Sequence, residues 1–101
     1  MMGHSLKSAA FLAESRMIEA AAGDVKALYD LGVAYSTGTA GVEVDLIEAH
    51  KWFNLAALNG STMAQECRAD IAEDMTACEI AEAQRQARAW LGAMAGQRRA
   101  A

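Results

Sequence analysis

The stretch from Gly23 to Gly60, GDVKALYDLGVAYSTGTAGVEVDLIEAHKWFNLAALNG, constrains the fold more than any other part of the chain. Ala27, Leu28, Leu31, Gly32 and Tyr35 recur at the spacing of one helix face, and Ala49, Trp52, Phe53, Ala56 and Ala57 repeat the pattern further on. Gly38 and Gly41, between them, supply the backbone freedom that a tight reversal needs. Two amphipathic helices with so short a connection must lie side by side and bury their stripes against each other.

The rest of the composition agrees with helices. The chain has 101 residues, enough for one domain, and contains no proline. Hydrophobic residues make up 53% but aromatic ones only 6%, so alanine-rich helices must pack at close spacing. The net charge of −4 speaks against a nucleic-acid or anionic-membrane partner, since those surfaces need a basic face. No apolar run approaches the ~20 residues of a membrane span. Residues Ala9 to Ala13 are too short for a signal segment, and Glu14 follows. Cys67 and Cys78 lack ligand spacing and read as free thiols in a reducing, cytoplasmic compartment.

Along the chain, residues 1–4 read as frayed. A first helix runs from Ser5 to Ala22 with apolar residues around more than half its circumference, closed by Gly23. Asp24 caps a second helix over 25–37, and Asp45 with Glu48 has the form of a capping box for a third over 46–59. Ser61 caps a fourth over 62–74. Thr76 and Glu79 form another capping box for a fifth, from Ala77 to about Met94, leaving 96–101 as a mobile tail.

Sliding the chain against itself by 37 places Gly23 on Gly60, Asp24 on Ser61, Ala27 on Ala64 and Gly32 on Ala69. Such recurrence marks an array of helical hairpins. With Gly23-Asp24, Ala27-Leu28, Leu31-Gly32, Tyr35, Gly38, Gly41-Val42, Asp45, Ala49, Lys51-Trp52, Ala56-Ala57 and Gly60, the chain resembles the Sel-one-like repeat, a relative of the tetratricopeptide repeats, in a short bacterial form. The resemblance implies an all-α fold of antiparallel hairpins stacked as a short α–α superhelix of about five helices. It implies one full repeat at 23–60, a degenerate half-repeat before it and closing helices at 61–95, a single domain over 5–95. In it Ala27, Leu28, Gly32, Tyr35, Gly38, Trp52, Ala56, Ala57 and Gly60 are structural. It also implies a non-catalytic module, an adaptor or regulatory scaffold that binds another protein or peptide segment without a cofactor.

Little in the chain invites other chemistry. His50 stands without a second histidine at metal-ligand spacing and reads as a partly exposed helix residue. The six acids from Glu66 to Glu82 leave open the alternative of a small helical enzyme or metal-binding protein, although a solvated face explains them more simply. If one side of the second helix faces its hairpin partner, Lys26, Tyr29, Asp30, Val33 and Ser36 form the other. The expected partner surface is then a shallow groove. Tyr29, Val33 and Met63 form its apolar floor, and Glu66, Asp70 and Glu73 an acidic wall suited to a basic or mixed segment. Stacked repeats also leave end faces, so a homodimer through an exposed end helix is a further expectation.

Overall fold

The computed structural model describes residues 15–100, the side chains of 97–100 excepted, and the expectations for residues 1–14 lie outside that range. Residues 15–21 are helical and form the described part of α1. Four helices follow: α2 (Val25–Thr37), α3 (Leu46–Leu58), α4 (Thr62–Ala72) and α5 (Ala77–Ala100).

Each start is set locally. The Asp24 carboxylate accepts from the backbone N–H of Lys26 and Ala27, and the Ser61 hydroxyl from that of Ala64. Thr76 and Glu79 form the full reciprocal box, at 2.7 and 3.1 Å. At Asp45 only half a box forms. Its carboxylate accepts from the Glu48 N–H, but its own N–H donates to the Tyr35 carbonyl at 2.8 Å, tying the turn back to α2. The Glu48 carboxylate is used elsewhere, by Trp52 and Lys51. In that turn Gly38, Ala40 and Gly41 all hold positive φ, so even an alanine is drawn into the left-handed region.

The last helix is longer than the sequence spacing predicts. It does not stop near Met94 but continues to Ala100, so 96–100 is helix rather than a separate tail. No proline interrupts it, and Gly92 and Gly96 keep the helical backbone.

Helix α3 is the centre of the molecule, touching α2, α4 and α5. Ala49, Trp52, Phe53, Leu55 and Ala56 are all buried on it. The core adds Ala20 of α1, Ala27, Leu28 and Leu31 of α2, Ala64 of α4 and Ala87 of α5. Alanine at so many of these positions lets helices approach closely, as the composition requires. Tyr35 and Ala57 are half-buried against the same core. The fold is all-α, with antiparallel helices stacked as a short superhelix.

The stacking is uneven. The α2–α3 hairpin is the most closely packed pair, whereas α4 and α5 barely touch. The fifth helix lies across α3 instead: Trp90 meets Trp52 edge to face with ring centroids 4.8 Å apart.

Candidate protein-interaction surface

Tyr29 and Val33 lie half-buried on α2 and pack against the core. The Tyr29 ring is tilted against Phe53 at a centroid distance of 5.8 Å. Burial and the neighbouring Cys67 thiol on α4 raise the Tyr29 hydroxyl above its ordinary pKa. Tyr29 thus stands where α2 meets α4, with part of its ring committed to the interior.

Helix α4 supplies the open side. Ala64 is its one buried residue, while Met63 is 59% exposed and Glu66 and Asp70 point into solvent. Glu73, also exposed, caps the end of the helix. Its one cation, Arg68, is half-buried and donates through Nη1 to Asn54 Oδ1 of α3 at 2.5 Å, so it is turned away from the acids toward α3. Seen from solvent, the free side of α4 presents a methionine and a row of carboxylates.

Two residues expected beside Tyr29 belong to another surface. Asp30 takes ion pairs from Arg16 of α1 and from Lys26 at 2.9 Å, which draws that edge of α2 toward α1. Farther along, the acids are engaged locally. Glu79 caps α5, while Arg85 and then Gln86 hold the Glu82 carboxyl down to about 2. Among the described residues, no group of three or more His, Cys, Asp or Glu side chains is placed to hold a metal ion.

His50 departs most from its sequence reading. It is only 4% exposed, not partly exposed, and its Nδ1 has no hydrogen-bond partner. No sequence signal marked it, because burial at that position depends on how α4 docks rather than on residues nearby in the chain. Trp52 is buried, as expected of a core residue. Its indole N–H donates to Glu48 Oε2 at 2.9 Å, and the Lys51 ammonium sits 4.5 Å from its ring centroid while bonding the same carboxylate.

A groove of about 300 Å³ runs between the end of α1 and α5, lined by Ala20, Leu28, Asn59, Trp90, Leu91 and Met94 among others. Leu91 on its rim is 43% exposed. Cys67 is half-buried and Cys78 exposed, both as free thiols. No helix among the described residues is long and apolar enough to cross a membrane.

Residues 25–61 match the family model of the Sel1 repeat, a span that takes in α2, the turn, α3 and the Ser61 cap. No curated protein and no solved structure matches the chain. The hairpin that packs most tightly is the one the family model recognises, and on that match the chain carries a Sel1 repeat over residues 25–61.

Proposed function

We propose that the surface shared by α2 and α4 binds a segment of another protein, with Tyr29, Val33 and Met63 as floor and Glu66, Asp70 and Glu73 as acidic wall. Sel1 repeats are generally protein-interaction modules, typically without enzymatic activity. The observation that carries this reading is the exposed side of α4, where Met63 and two carboxylates lie open and Arg68 is withdrawn. An apolar anchor beside unpaired negative charge suits a basic amphipathic segment. The chain would act as a small bacterial adaptor or regulatory scaffold, and its free thiols fit the reducing cytoplasm.

The test is capture of partners with the wild-type chain and with a Met63→Ser, Asp70→Lys variant whose melting temperature is unchanged. A partner retained by both would sink this assignment of the surface.

A second reading rests on the groove beside Leu91, which suits self-association through the α1–α5 end. Sedimentation of wild type against Leu91→Glu checks it: a dimer that survives the substitution uses some other face.

A further inference from the structure

His50 is the one buried polar side chain among the described residues. Protonating Nδ1 would create a buried donor with no acceptor. Arg68 of α4 is the charged group that acts on it, held one helical turn along by Asn54. Among the described residues, no carboxylate pairs with that cation. On α2 Asp30 is taken by Arg16 and Lys26, on α3 Glu48 by Lys51 and Trp52, and on α5 Glu82 by Arg85. On α4 itself Glu66 and Asp70 are exposed. Burial first, and Arg68 second, push the His50 pKa below its ordinary value.

The helix that carries Arg68 is short, at 11 residues, and has a single buried residue, Ala64, and its support comes almost entirely from α3. We infer that His50 is a proton-operated latch: when its ring gains a proton, a second cation stands beside Arg68, and α4 comes away from α3 while the α2–α3 hairpin stays closed.

The sign follows from the two environments. In the closed form the imidazole has a lowered pKa, whereas in the released form it regains the ordinary value of 6.5. Protons therefore favour release. The α3–α4 contact is complete above that value and weakens as pH falls through it. The consequence for binding rests on the proposed contact surface: acid would separate Met63, Glu66 and Asp70 from Tyr29 and disperse that surface.

Hydrogen exchange of the free chain, followed from about pH 7.5 to pH 5 and corrected for intrinsic rates, tests the latch. Protection of α4 amides should fall by up to about tenfold per pH unit below the ordinary histidine value, while α2 and α3 keep theirs. A His4→Gln variant leaves His50 as the sole imidazole signal for a parallel NMR titration. In His50→Leu the pH dependence of α4 should vanish, and in Arg68→Gln it should shrink. Loss of protection by all helices together would overturn the latch, as would an unchanged α4 response in His50→Leu. So would a native His50 that titrates at its ordinary value while α4 stays protected. No partner is present in these measurements, so their outcome is independent of whether the proposed surface binds one.

Discussion

Gly32 of α2 lies against the Phe53 ring of α3 so closely that a methyl group has no room between them. A Cβ at Gly32 would sit 2.5 Å from Phe53 Cε1 and 2.8 Å from Cγ. Glycine here serves close approach of two helices, since its backbone is helical and any residue could adopt it.

Gly32→Ala should therefore destabilise the protein by about 1–3 kcal/mol through overpacking, although alanine is the better helix former by about 1 kcal/mol. Denaturant titration of Gly32→Ala, Phe53→Leu and the double variant checks the coupling. The double variant should lose clearly less than the sum of the two singles.

The other glycines should behave differently. Gly60 has φ of 101° with open space around it, so Gly60→Ala should cost about 1 kcal/mol from backbone strain alone. Gly92 also has open space but lies within α5, and Gly92→Ala should stabilise by up to about 1 kcal/mol. Thermal melts of the two variants should move in opposite directions.

Glu48 links the capping of α3 to its core. Replacing it with alanine leaves the buried Trp52 N–H without its acceptor and should cost about 1–3 kcal/mol. Trp52→Ala should cost about 3–5 kcal/mol, because it also opens a cavity against Trp90. Equilibrium unfolding measures both. Equal losses for the two would mean that the indole ring itself contributes little.

On the proposed contact surface, Glu66→Lys with Asp70→Lys should leave stability within about 0.5 kcal/mol, since both side chains are exposed. A basic amphipathic peptide should lose affinity for that variant, as read by calorimetry. Tyr29→Ala is a poorer probe, because its ring packs on Phe53 and its melting temperature should fall as well.

Much of this molecule was legible in its sequence because the signals are local. The caps at Asp24, Ser61 and Thr76 lie within three residues of the N–H groups they satisfy, and the stripe through Ala49, Trp52 and Phe53 marks a core face whatever lies opposite. The family resemblance read on Gly23 to Gly60 agrees with the Sel1 match over 25–61. The expected contact residues could be placed on α2 and α4, but not their degree of burial.

What the tertiary structure decided is where the closing helix goes. The 37-residue shift pairs Gly32 with Ala69 and Phe53 with Trp90, yet Ala69 is exposed and Trp90 lies on Trp52. The recurrence that sets one hairpin therefore does not set the next. Residue types and spacing determined that the chain is helical, where each helix begins and which stripe is apolar, because those depend on neighbours within a turn or two. Only the packed molecule determined that α5 leaves α4 for α3, that His50 is sealed in and that Met63 stays open. Burial of a given face depends on which distant segments compete to cover it.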